Sequence, residues 1–521
     1  MIHVIFENAI HWRQTAAAAT DILNKQRQHL TQRRSDSEQT NAETIADSTR
    51  WRILAVLLTA IAMSLINVSI VNVALPSIQE GLGASQSDLQ WVLSGYALTF
   101  GVVLVAAGRA GDILGRGGIF ILGVAVFTAA SIASGLAQDA TWLNVARFVQ
   151  GVGSGLLSPQ GVGMIQQYFR GSERGKAFGY FGTAVGVSVG IGPVLGGLLI
   201  ELGGADFGWR LTFLVNVPIG IAAIIMALAW FPKPLFSHRP KDATPTFGGV
   251  LHTFRSLDPI GAVLLGLSVF AVLFPFMEAQ SAPLTWLLLP LGIALVAAWV
   301  HWERRYARLG RSPMVDLNIF STRSFTNGAL IMTLYFTGMT SIWVLVALYL
   351  QQGLGASALE TGLISTPSAF ISAFAANWAG RRVMTYGRKL VIGGLLLAVV
   401  GLAACIAVVL LQAGGYISAW WLLLSLALIG AAQGAVVSPN QALTLAEVPL
   451  QYAGSSGAIM QTGQRIGTSI GIAVITAAVF AVLDMSSWPV AVALGFGLIL
   501  LVVLSAIGLA FKDLRDRTNN H

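Results

Sequence analysis

Any chemistry in this sequence must come from a few charged and polar residues set in long apolar runs. Arg147, in RFVQGVGSG, lies deep in such a run, where a charge costs about 2.5–3.5 kcal/mol on insertion scales. A group that costly serves either a function or the hydrogen bonding of backbone carbonyls where glycine-rich helices meet. Arg465 is its analogue in the second half of the chain. Asp112 stands in GRAGDILGRGG between Arg109 and Arg116, and its glycines, Gly115 among them, permit a tight turn. The acid can pair with either arginine or cap the next helix. Charges at helix ends lock in one state and release in another, so the group reads as a conformational latch. Gln150, Gln160, Gln433, Asn440, Gln461 and Gln464 either line a central cavity or bond neighbouring helices. Tyr96, with Trp91, Tyr335, Trp343 and Tyr349, offers faces to an aromatic or cationic ligand, or anchors at the membrane interface.

Other chemistries lack the residues they need. Cys405 is the only cysteine, and no histidine spacing suits a metal. There is no phosphate-cradling loop and no nucleophile–base pair. The expectation is a protein that is not an enzyme and takes no metal or cofactor. Its energy source is an ion gradient, or there is none. The carboxylates Glu80, Glu201, Glu278 and Asp484 fall at one set of helix ends and Glu303 and Glu447 at the other, with none at mid-membrane. Interior arginines without embedded acids favour neutral or anionic amphiphiles over dications.

The elements that hold these groups are helices in a bilayer. Of 521 residues 55% are hydrophobic and 10% charged, and the mean hydropathy is +0.72; a soluble domain carries about 25% charge. Spans of about 20 apolar residues centre near Met63, Ala97, Thr128, Gly153, Val189, Gly220, Ser268, Ala294, Phe336, Phe370, Val400, Gly430, Ile470 and Leu498. The opening MIHVIFENAIHWR is too short an apolar run for a secretory signal. Of the 31 Lys and Arg, 28 fall in the tails and alternate loops of one side. The positive-inside rule puts both termini in the cytoplasm, and an even helix count agrees. The net charge of +8 is therefore topology, and nucleic acid is not an expected partner.

Gly182 to Gly197, GTAVGVSVGIGPVLGG, organises the first half. Gly182, Gly186 and Gly190 form a smooth stripe that admits a close helix neighbour. Gly192-Pro193 loosens the helix, and Gly196-Gly197 allows a second close crossing. The second half repeats pieces of the first. GRRVMTYGRK from Gly380 matches the Gly108 loop, with Met384 where Asp112 stands. Ser438-Pro439 echoes Ser158-Pro159, and Gly463, Gly467 and Gly471 echo the stripe. The expected fold is an all-α integral membrane protein of two six-helix bundles with two inserted helices. Its parts are a polar tail (1–50), a first bundle (51–231), a linker (232–257), two extra helices (258–303), a basic loop (304–323), a second bundle (324–511) and a tail (512–521). Sites at the interface of paired bundles suit alternating access.

From Trp51 to Phe511 the chain resembles the fourteen-helix drug:proton antiporter branch of the major facilitator superfamily. The motifs that carry the resemblance are IVNVALP (which includes Asn72), GRAGDILGRGG, RFVQGVGSG, the Gly182–Gly197 stretch and WRLTFLVNVPIG. The resemblance implies export of amphiphilic compounds across the cytoplasmic membrane, driven by inward proton flow, with Arg147 taking part in coupling. A monomer is expected. One position departs from the pattern. Three residues before IVNVALP the family carries an acid, and here Asn67 stands there, unable to carry a proton or balance a cation. Two readings follow: a proton-coupled exporter that titrates an end-of-helix acid such as Glu201 or Glu278, and an uncoupled or exchange-type facilitator for a neutral or anionic metabolite or lipid.

Overall fold

The computed structural model describes residues 47–236, 257–277, 283–311 and 313–518, and among these it is entirely helical. The chain divides into a unit Met1–Arg52, described only from Asp47, and a unit Ile53–His521. The first half comprises α1 (Asp47–Leu82), α2 (Gln86–Leu114), α3 (Arg116–Gly135) and α4 (Ala140–Tyr168). A long run, Gly171–Leu214, then loses helical backbone at Gly204 and divides into α5 (Gly171–Gly204) and α6 (Phe207–Trp230). After these come α7 (Pro259–Met277) and α8 (Leu288–Arg308). The second half is α9 (Arg323–Gly353, ending in a π turn), α10 (Ala358–Tyr386), α11 (Arg388–Ala413), α12 (Leu422–Thr444), α13 (Ala453–Leu483) and α14 (Trp488–Thr518).

Twelve of these helices are long and apolar enough to cross a membrane. The fourteen spans expected from sequence include α4 and α10, each of 29 residues but richer in glycine and polar side chains than that measure accepts. The C-terminal tail expected from 512 instead continues α14 to Thr518. α8 runs to Arg308, past the expected boundary at 303. Most of the linker, Glu278 and residues 1–46 lie outside the described residues.

Local sequence sets the helix ends. Ser85 with Asp88, and Ser357 with Glu360, form reciprocal capping boxes at α2 and α10, and Asp139 caps α4. Gly115 (φ 106°) and Gly387 (φ 54°) turn α2 into α3 and α10 into α11. Both angles disfavour a side chain, so these equivalent positions of the repeat need glycine.

Two seams join the halves. Along the first, the α5 stripe meets α10. A Cβ on Gly182 would fall 2.8 Å from that of Ala376, one on Gly186 would fall 2.8 Å from the Ala369 carbonyl, and one on Gly190 would fall 3.1 Å from the Ala369 Cβ. Thr183 Oγ1 donates across this seam to the Ala373 carbonyl at 3.0 Å. Gly192 and Gly196 turn instead to Ser69 and Ile70 of α1. Gly197 has open space around it. We therefore expect Gly186→Val to force the halves apart, because backbone atoms cannot yield, while Gly197→Ala leaves thermal stability and transport near those of the parent. A thermal melt in detergent with vesicle transport on both variants checks this.

The second seam brings α13 against α2 and α4, where Gly108 and Gly454 meet backbone to backbone. Helix α7 lies over this seam. Its Val269 and Leu273 pack with Leu98 of α2, and Ile466 of α13 joins the same cluster. α8 packs chiefly on α7, with Gly292 against Val272.

Candidate functional site

Inside the first half, a buried polar network converges on Arg147 and Asn67. Arg147 is 1% exposed. Its Nε donates to the Val92 carbonyl (2.8 Å) and one terminal nitrogen to Gln150 Oε1 (2.5 Å). Its guanidinium lies 4.3 Å from the Tyr96 ring centroid and 5.9 Å from that of Phe213. Gln150 Nε2 passes the chain on to Ser131 Oγ (2.7 Å) and Asn67 Oδ1 (3.3 Å), and Asn216 Nδ2 donates to the same Asn67 oxygen at 3.1 Å. Tyr96, Ser64 and Ser154 bond one another at 2.7–3.0 Å. All these partners are neutral. The network holds a cation by backbone and amide dipoles and two aromatic rings, in a place where burial makes such contacts strong.

The second feature is a clasp across the α2–α13 seam, at the face that carries the basic loops. Asp112 Oδ1 accepts from Arg116 Nε (3.1 Å), from a terminal nitrogen of Arg116 (2.8 Å) and from the Gly454 amide (2.9 Å). Oδ2 accepts from the Ser455 amide (2.9 Å) and hydroxyl (2.8 Å). The first amides of a helix lack intrahelical partners and carry its positive dipole end, so a carboxylate there is doubly favoured. Asp112 thus caps a helix, but that helix is α13 of the opposite half and not the adjacent α3 that the sequence suggested. Arg116 reaches on to Gln167 (2.7 Å) and the Leu450 carbonyl (2.6 Å), while Gln166 donates to the carbonyls of Leu445 and Val448. Arg109, 8% exposed, makes no ion pair with Asp112.

A family model described as Major Facilitator Superfamily matches residues 57–315 and 328–520. The chain belongs to the major facilitator superfamily. It is 33% identical over 438 residues to a probable actinorhodin transporter of Streptomyces coelicolor, covering 83% of this chain and 73% of that one. It is 30% identical over 437 residues to the puromycin resistance protein of Streptomyces alboniger, covering 82% of each. Its fold is similar to that of the solved structure of a major facilitator proton:xylose symporter, with a TM-score of 0.62 at 16% identity, over 90% of this chain and 96% of that one.

The other residues that sequence pointed to in this major facilitator chain are scattered. Gln160 is buried and donates to the Ala107 carbonyl (2.7 Å), and Gln461 accepts from Ser158 (2.8 Å) across the seam. Together with Asn67 and Gln150, these are packed interior groups here and not the lining of an open cavity. Asn72 is surface-exposed and Gln433 half-buried. Arg465 lies 4.4 Å from the Phe100 ring centroid. Tyr335 and Tyr349 are fully buried, Trp343 is half-buried, and Trp91 packs between Phe148 and Phe274. Glu201 is exposed.

Sequence reasoning missed a third cluster. Arg388 occupies the repeat position of Arg116, and Met384 replaces the acid, yet Arg388 pairs with Asp513 of α14 at 2.6 Å. Arg388 also bonds Asn440, and Asn327 donates to Asp513 (2.9 Å). The one available signal was an acid two residues into the supposed tail. Both ions are buried, so Asp513→Asn leaves an uncompensated cation and should cost about 3–5 kcal/mol of stability. A lowered melting temperature in detergent, recovered in part by the double variant Arg388→Leu/Asp513→Leu, checks it.

Proposed function

We propose that this protein exports an amphiphilic small molecule across the cytoplasmic membrane by alternating access and proton antiport. The clasp carries the reading. One carboxylate gathers three donor contacts across a seam of small residues and two more from Arg116 on its own side, so the two halves are held at one face by polar contacts that exchange readily with water. Such a closure is bistable, which is what rocking of two bundles requires. Of the relatives named above, one is by name a probable actinorhodin transporter and the other a puromycin resistance protein, which supports a drug-like cargo.

We assign fourteen crossings, with the basic face and both termini in the cytoplasm. α4 lies between α2 and α3, and α10 between α5 and α12. Their mid-helix polar groups, such as Arg147, Gln150, Ser154, Ser368 and Ser372, are buried against protein, so limited apolarity does not bar them from the bilayer.

A second reading, a facilitator for a neutral or anionic metabolite, is favoured by Arg147, whose hydrogen bonds all go to neutral groups. The test is the purified protein in liposomes with an internal pH-sensitive dye, an imposed proton gradient and a panel of cationic, neutral and anionic amphiphiles. Gradient dissipation that depends on a compound establishes antiport, and the charge class that works reports the cargo. Flux without proton movement establishes the facilitator.

A further inference from the structure

Helices α7 and α8 hold a carboxyl pair that no part of the clasp or the Arg147 network uses. Glu303, on the last turns of α8, is 1% exposed, and Asp258, just before α7, is also 1% exposed. A Cβ placed on Gly261 would lie 2.4 Å from Asp258 Oδ2 and 2.9 Å from Glu303 Oε1, so the two carboxyls crowd one point. Asp258 is partnered by the Gly261 amide (3.0 Å) and the Trp302 indole (3.0 Å). Glu303 is not. Neither of its oxygens makes a hydrogen bond of ordinary geometry, although the Trp299 indole and the amides of Met314 and Val315 are near. Two buried like charges, one without a well-formed hydrogen bond, are costly, and a proton taken up by the pair removes that cost. Glu303 lines a cavity of about 450 Å³ with Arg304, Arg308, Val315, Asp316 and Asn318, at the basic-loop face, which gives a proton bound there a route of release to that side. Arg304 and Arg308 are exposed and make no ion pair with Glu303 among the described residues.

The cavity is connected to the clasp. Asp316, in its wall, accepts from the Tyr452 hydroxyl at 2.7 Å. Tyr452 immediately precedes α13, whose first amides donate to Asp112. On its other side the pair belongs to α7 and α8, and α7 covers the α2–α13 seam.

We infer that Glu303 and Asp258 form the proton site of this transporter, linked through the Asp316–Tyr452 contact and α7 to the closure of the two halves. The inference rests on the antiport reading. Uptake adds one proton to the carboxyl pair and release removes it, and no other group is transferred. The charged and titratable groups around Glu303 are Asp258 from the α7 side, Arg304 and Arg308 on α8, Asp316 in the connecting loop and Tyr452 before α13.

The test uses the full-length protein in lipid with two variants, Glu303→Gln and Asp258→Asn, both nearly isosteric; an asparagine oxygen can still cap Gly261. The first arm reads proton binding by infrared difference spectroscopy between acid and alkaline pH. The expected result is a protonated-carboxyl band that titrates in the parent and is lost in Glu303→Gln. The second arm compares gradient-driven transport with compound exchange at equal pH on the two sides. Glu303→Gln should lower the first roughly tenfold more than the second, with Asp258→Asn intermediate. A band that survives in Glu303→Gln overturns the site, whatever the fluxes. A parent that couples protons, with variants that couple equally well, overturns the site and leaves antiport standing. A parent that moves compound without protons overturns both.

Discussion

Replacing Arg147 with alanine abolishes transport, lowering initial rates by at least about 100-fold, while folded protein still reaches the membrane. The substitution removes the hub of a buried network. Gln150 Oε1 loses its donor, at about 1–3 kcal/mol for a group left unpaired, and the Val92 carbonyl loses its side-chain donor. The Tyr96 face loses its cation, and the Gln150–Asn67–Asn216 chain loses the charge that orients it. A purely structural arginine behaves differently: its loss lowers the melting temperature and the amount of folded protein, with activity per folded molecule largely kept. Arg147→Lys separates the roles of charge and shape. Lysine keeps the charge but lacks the planar fork that serves Val92 and Gln150 together. We expect Arg147→Lys to melt closer to the parent than Arg147→Ala and to remain severely impaired in transport. Vesicle transport normalised to folded protein, read beside thermal melts, is the measurement. Parental transport by Arg147→Ala removes the functional role outright.

Asp112→Asn opens the clasp. The carboxylate accepts on both oxygens from Arg116, the Gly454 amide and the Ser455 amide and hydroxyl. An amide offers one acceptor oxygen and turns an NH2 toward donors, so about half of the contacts become repulsive. Hydrogen bonds to charged groups contribute about 1.5–3 kcal/mol each but do not add. A net loss of about 3 kcal/mol shifts the open–closed balance on the order of 100-fold. Spin labels at Ser172 and Gln451, both exposed at this face, report it as a longer distance distribution. Cys405 is buried and is the only native cysteine, so labelling at introduced cysteines is clean. An unchanged distribution in Asp112→Asn removes the clasp from the mechanism. Transport slows in the same variant, because a face that cannot stay shut cannot complete the cycle.

That Asp112 pairs with an arginine of its own loop was legible from the spacing in GRAGDILGRGG, but that the partner is Arg116 and not Arg109 was not. The Gly182–Gly190 stripe was legible as a contact surface because only a close neighbour rewards so much glycine in a helix. Its neighbour was not legible. Ala369, Ala373 and Ala376 of α10 are small residues in an ordinary apolar run, and nothing local says which of several such runs meets the stripe.

Membrane residence and the helical repeat were determined by the sequence itself. They depend on composition and short-range periodicity, which the bilayer reads residue by residue. The tertiary structure alone decided what each polar group does. Asp112 caps a helix 342 positions away in the chain, Asn67 becomes the acceptor at the end of the Arg147 network, and Asp513 supplies the acid that Met384 lacks. Glu303, read from sequence as one more charge at a helix end, is buried beside Asp258. The physical reason is the same in each case. A buried polar group takes whatever partner the packing of distant helices brings within about 3 Å, and that distance is set by the fold and not by neighbours in the chain.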